Sequence, residues 1–208
     1  MSCQTAGKCL VEATRRAFED TPLVGVRKNK MMGPYGEAIV EHFAKDLFFG
    51  KPITRPTDTG LGLKGNERNA QNTTVDFLLG DESLEIKTGT LYWNTSHACW
   101  TVKFRGTNRD LHDHLILVFH SPDGLHILEH VGDFGLSNGT VQVSSPSGTL
   151  AGEPVKPNKK MTNPASIAAH KKRSYELGDP AVATQNILKK FWLGGCPYIT
   201  HIAFPPPR

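Results

Sequence analysis

The sequence predicts a mixed fold, α/β or α+β, with a central mixed β-sheet flanked by helices. Three observations carry this expectation. Apolar residues recur at helical spacing between residues 8 and 49. Short β-type segments divided by Gly, Pro and Asp turns fill residues 73–128. Helical patterning returns between residues 164 and 192. Helices, then strands, then helices is the order expected when one sheet is covered by helices.

Taken in order, residues 8–18 form a first short helix, with Leu10, Ala13, Ala17 and Phe18 near one face and Thr21-Pro22 as the stop. A loop containing Lys28, Lys30, Met31, Met32, Gly33 and Pro34 is expected next. A longer helix over 36–49 has the apolar stripe Ile39, Val40, Phe43, Leu47 and Phe48. On another stripe Glu37, Glu41 and Lys45 recur every four residues. Gly50, Pro52 and Pro56 end it, and residues 57–72 read as a polar, Gly- and Asn-rich loop.

The β region begins with a strand over 73–79, a turn at Gly80-Asp81-Glu82-Ser83 and a strand over 84–88. A third strand covers 99–104 and ends in the Arg105-Gly106-Thr107-Asn108-Arg109 loop. Residues 115–119 are all apolar, as in a central strand buried on both faces. Ser121-Pro122-Asp123-Gly124 turns the chain into a strand over 125–128. Residues 138–158 are rich in Gly, Ser and Pro and read as a flap or excursion. Helices over 164–177 and 180–192 close the pattern, followed by an extended Pro-rich end.

Composition bounds the function. The chain has 208 residues, suited to one domain, and 38% are hydrophobic, enough for an ordinary core. A net charge of +4 permits a nucleic-acid partner without requiring one. No apolar run approaches the roughly 20 residues of a membrane span, and the first ten residues lack an apolar signal core, so no membrane partner is expected. Cys3, Cys9, Cys99 and Cys196 are scattered without a Cys-x-x-Cys pair. Reduced thiols in a cytoplasmic protein are expected, rather than a disulfide framework or a structural zinc site.

Asp76, Glu85 and Lys87 form the pattern with chemical content. Asp76 falls on the first strand of a hairpin, and Glu85 and Lys87 fall two apart on its partner, sharing one face while Ile86 points to the other. Two carboxylates offer oxygen ligands to Mg2+, an ion that also takes oxygens from water and phosphate. Such an ion lowers the pKa of a bound water and neutralises charge on the phosphate. A neighbouring lysine would orient or deprotonate the attacking water, or stabilise the charge that builds at phosphorus. The bland alternative is a solvent-facing pair of strands with unremarkable charges.

The segments Val75-Asp76-Phe77 and Leu84-Glu85-Ile86-Lys87-Thr88, with the preceding Gly36-Glu37-Ala38-Ile39-Val40-Glu41 helix, resemble the PD-(D/E)xK nuclease superfamily. Val75 stands where the family name has Pro. The resemblance spans residues 36–119. It implies a restriction-endonuclease-like core and Mg2+-dependent hydrolysis of phosphodiester bonds. Asp76 and Glu85 would be the metal ligands and Lys87 would act on water. Some members add a helix glutamate; Glu41 takes that place here because it comes later in the helix, although an ordinary Glu41–Lys45 helix pair is an equal reading. The whole chain, 1–208, would be one nuclease domain with its catalytic core at 36–130 and C-terminal helices within 164–193.

Double-stranded DNA is the expected partner. Phosphate contacts are assigned to Lys64 and Arg68 with Asn69 beside them, to Lys103, Arg105 and Arg109, and to Lys159, Lys160, Lys171, Lys172 and Arg173. Tyr92, Trp93 and Trp100 would stack on bases or pack a sheet edge. The compact size is that of a type II restriction enzyme, which would act as a homodimer on a palindromic site. A repair or junction-resolving nuclease of the same fold and a non-catalytic DNA-binding protein are the alternatives. A further one is a cupin-like metal protein using His112 and His114, which share a face if they lie on a strand. Its pattern breaks where a glutamate is needed, because residues 115–119 are apolar.

Overall fold

The computed structural model describes residues 3–20, 23, 29–56, 75–94, 99–107, 109–145 and 178–206. These residues form a mixed α+β fold. Helices α1 (Cys3–Glu19) and α2 (Asn29–Leu47) precede β1 (Ile53–Thr54), β2 (Phe77–Leu79) and β3 (Glu82–Thr90). Then come β4 (Tyr92–Asn94), β5 (Cys99–Arg105), a 3-10 turn (Arg109–Leu111), β6 (His114–Ser121) and β7 (Gly124–Glu129). Strands β8 (Leu136–Ser137) and β9 (Thr140–Ser144), helix α3 (Pro180–Leu193) and β10 (Tyr198–Ala203) follow.

Among the described residues ten strands make two sheets. The larger has the order β1-β2-β3-β6-β7-β10 and the smaller β4-β5-β9-β8. Among the described residues only β3 and β6 pair in parallel, in a register that sets Glu85 opposite Leu115 and Lys87 opposite Leu117. All other pairs are antiparallel.

Strand alternation divides the core. From the larger sheet, Leu84, Ile86, Ile116, Val118, Leu125 and Ile127 join Ile39, Val40 and Leu47 of α2 and Val11 of α1. The other face sends Leu115, Leu117, Phe119 and Leu128 against Val102, Phe104, Val141 and Val143 of the smaller sheet and against Ile187 and Phe191 of α3. Residues 115–119 are fully buried, as the apolar run predicts, because both faces are covered.

Several elements differ from the sequence expectation. Helix α2 begins at Asn29, through the expected loop and past Pro34. Pro34 is exposed, and Met32 is 2% exposed, which extends the apolar stripe about two turns backward from Ile39. Burial of that stripe outweighs the single backbone donor that proline removes. Strand β2 is shorter than the 73–79 segment, and Val75 and Asp76 precede it in irregular backbone. The hairpin turn narrows to Gly80-Asp81, with Leu79 paired to Glu82 and Gly80 at φ +66°. Residues 140–144 are not an excursion: they form β9, whose Val141 and Val143 face the core beside β5. Residues 146–158, the 57–72 loop and the helix expected at 164–177 lie outside the described residues. Strand β10 was not expected, and it completes the sheet edge beside β7.

Among the described residues no helix is long and apolar enough to cross a membrane. The described cysteines Cys9, Cys99 and Cys196 are free thiols.

Candidate active site

The β2–β3 hairpin brings Asp76, Glu85 and Lys87 together. Asp76 sits just before β2, and its Oδ2 accepts a hydrogen bond from the Ile86 backbone N–H at 2.8 Å. That bond fixes the carboxylate against β3 between the two other residues. Lys87 Nζ donates to Glu85 Oε1. Glu85 is 4% exposed, and its Oε2 is buried with no hydrogen-bond partner. His112 Nε2 lies 3.8 Å from that same oxygen, across the β3–β6 pair.

An acid held this way resists ionisation. The Glu85 pKa is pushed up to about 7, first by burial and then by the like charge of Asp76, with Lys87 opposing. Glu37 on α2 is also raised, by burial and then by Asp76, while Arg55 and Lys87 oppose. Glu37 therefore belongs to the same electrostatic cluster as Asp76 and Lys87.

Glu41, the helix glutamate chosen from the sequence, is engaged elsewhere. Its two oxygens accept from Arg55 Nε at 3.0 Å and Nη2 at 2.6 Å, in an exposed ion pair. Arg55 in turn lies over the Phe77 ring, 4.9 Å from its centroid. Glu37 comes one turn earlier on the same stripe, so periodicity alone leaves the two equivalent; the packing of α2 on β3 separates them. That packing depends on Gly36, where an added Cβ would stand 2.2 Å from Thr88 Oγ1.

The expected DNA contacts divide three ways. Lys103 and Arg105 alternate with the core-facing Val102 and Phe104, so they take the outer side of β5. Val102 and Phe104 pack against Gly89, which shares its face of β3 with Glu85 and Lys87. Lys103 and Arg105 therefore lie on the side of β5 away from the β3 face that carries Glu85 and Lys87. Arg109 opens the 3-10 turn ahead of His112. Lys64, Arg68, Asn69, Lys159, Lys160, Lys171, Lys172 and Arg173 lie outside the described residues.

Packing decides between two further pairs of alternatives. Tyr92, Trp93 and Trp100 are buried, Trp93 and Trp100 meet edge to face at 5.4 Å, and the Trp100 indole donates to the Gly178 carbonyl. They pack the smaller sheet, so none presents a face to a base. His112 and His114 do not share partners: His112 approaches Glu85, whereas His114 bonds Glu129 at 2.8 Å and Glu82 at 3.1 Å. The sequence reading missed His112 as a neighbour of Glu85, since only the parallel register of β3 on β6 brings them together.

Burial and then Asp76 raise the pKa of Glu85, whose Oε2 has no hydrogen-bond partner, and Glu37 feels the charges of Asp76 and Lys87. No family model, curated protein or solved structure matches the chain.

Proposed function

We propose that the protein is a Mg2+-dependent DNA endonuclease of the PD-(D/E)xK type, with the restriction-endonuclease-like core that this implies. The observation that supports the reading is the convergence of Asp76, Glu85 and Lys87, with Glu85 Oε2 buried and unsatisfied. An oxygen in that state costs about 1–3 kcal/mol or more for a charged group, and a cation offsets the cost.

In this reading Asp76 and Glu85 hold the ion, and Glu37 supplies the helix carboxylate in the place first given to Glu41. The bound ion would supply Lewis acidity and charge neutralisation at the phosphate. Asp76 is oriented by the Ile86 N–H, so its position is set by the strand backbone. Lys87 donates to Glu85 and would turn toward the attacking water or the phosphoryl oxygen once Glu85 is engaged. The water gives up a proton as its oxygen bonds to phosphorus, one ester P–O bond breaks, and the leaving oxygen takes up a proton. The finer assignment is a site-specific type II restriction enzyme acting in the cytoplasm as a homodimer on double-stranded DNA.

Purified protein incubated with plasmid DNA and Mg2+ tests the assignment. Discrete fragments are expected from the wild type, no cleavage in the presence of EDTA, and at least a 100-fold loss in Asp76→Ala and Lys87→Ala. Equal cleavage by the wild type and both variants overturns the site. DNA binding without cleavage by the wild type would favour a non-catalytic DNA-binding protein.

A further inference from the structure

At the other end of the larger sheet, a second group of side chains converges. Asp123 lies in the β6–β7 turn, His126 on β7 and His201 on the edge strand β10. We propose that Asp123, His126 and His201 form a binding site for a divalent transition metal of the Zn2+ class, independent of the nuclease reading.

The geometry is that of ligands around one ion. One carboxylate oxygen, Asp123 Oδ1, lies 3.1 Å from His126 Nε2, and the other, Oδ2, lies 3.8 Å from His201 Nε2. One ligand atom from each residue falls within 4.8 Å of the others. Zinc–ligand bonds of about 2.1 Å place tetrahedral ligands roughly 3.4 Å apart, between the two measured separations. The 3.8 Å gap is too long for a hydrogen bond. The two imidazole rings stack with centroids 4.4 Å apart and 7° between planes; because a metal lies in the plane of each ring that binds it, the more exposed His201 would turn out of the stack to share an ion with His126.

The surroundings are built for this arrangement. Gly124 opens β7 directly after Asp123, and a Cβ there would stand 2.7 Å from His201 Nε2 and 2.3 Å from the Ile202 carbonyl oxygen. Only a residue without a side chain lets His201 approach. His126 is 2% exposed, which fixes its ring. Its other nitrogen, Nδ1, is 3.0 Å from the Tyr198 hydroxyl. Without metal, Nε2–H donates to Asp123 and the hydroxyl donates to Nδ1. With metal on Nε2, Nδ1–H donates to the hydroxyl instead. Tyr198 serves either tautomer, as a partner behind a ligating histidine must. Ser121 Oγ also lies 3.0 Å from His126 Nε2 and donates to Asp123 Oδ1.

Two imidazoles and one carboxylate select Zn2+ and its neighbours over Mg2+, which takes oxygen ligands. Three protein ligands leave a fourth tetrahedral position. It would open toward the groove lined by Gln185, Leu188, Lys189 and Trp192 of α3. The ion would also tie the edge strand β10 to the β6–β7 turn.

Equilibrium dialysis of the full chain against Zn2+ and against Mg2+, with metal analysis, tests the proposal. One Zn2+ per chain is expected in the wild type and in Asp76→Ala, and none in His201→Ala or Asp123→Asn. Tyr198→Phe, which keeps all three ligands, should weaken Zn2+ binding about 10-fold. This variant carries the test if either ligand variant fails to fold. The proposal is overturned by absence of bound Zn2+, by its retention in His201→Ala or by its loss in Asp76→Ala. Unchanged affinity in Tyr198→Phe also counts against it.

Discussion

At Glu85, burial and charge work against each other. The folded pKa of about 7 lies above the ordinary 4.5, so the folded state holds a proton more tightly than the unfolded chain. The sign follows from linkage: this group favours folding most below pH 4.5, and that contribution is lost as pH rises through 7. At about 1.4 kcal/mol per pKa unit, the loss is on the order of 3 kcal/mol. Glu85→Gln should therefore gain stability relative to wild type between pH 5 and pH 8, read as urea midpoints at both values, while abolishing cleavage. A midpoint difference that does not change with pH would exclude this account. Mg2+ should raise the wild-type melting temperature at pH 8, and this increment should be absent in Glu85→Gln. Asp76, Glu85 and Lys87 could be picked from sequence because side-chain alternation and a short turn are local rules. Glu37 could not be separated from Glu41, because four residues along a helix return nearly to the same face.

The element that decides the matter is α2 on β3. Gly36 allows the helix to approach Thr88 so closely that a single methyl group would overlap its hydroxyl. Gly36→Ala should cost about 1–3 kcal/mol in chemical denaturation. Thr88→Ala in the same chain should restore part of that loss; additive losses in the double variant would show that the two residues do not meet. The helix itself was legible from Ile39 onward, but its first turn was not. Gly33 and Pro34 signal a break locally, whereas Met32 is buried by contacts that no local pattern contains. Strand β9 was hidden for a similar reason. Val141 and Val143 are its only strong apolar cues, and β5 supplies the rest of the pairing.

For the whole molecule, the proposed reading places cleavage at β2–β3 and a separate metal at β7–β10, at different positions of one six-stranded sheet. With two-fold symmetry, each copy would cut one strand of a palindrome. A supercoiled plasmid bearing one site should then pass to the linear form with little nicked circle, and the protein should sediment as a dimer. Accumulation of nicked circle by a monomer would exclude the homodimer. The modest net charge of +4 hides a local contrast, because carboxylates gather at the hairpin while Lys103 and Arg105 lie on the outer side of β5.

The sequence by itself determined the mixed α and β class, the β2–β3 hairpin, the doubly buried β6 and the identity of Asp76, Glu85 and Lys87 as neighbours. These rest on periodicity and turn chemistry, which act over a few residues. Tertiary structure alone decided that Glu41 pairs with Arg55, that His112 meets Glu85, and that His201 reaches Asp123 and His126. Those contacts join residues 14 to 78 positions apart in the chain. Sheet order and register set such distances, and no local pattern encodes them.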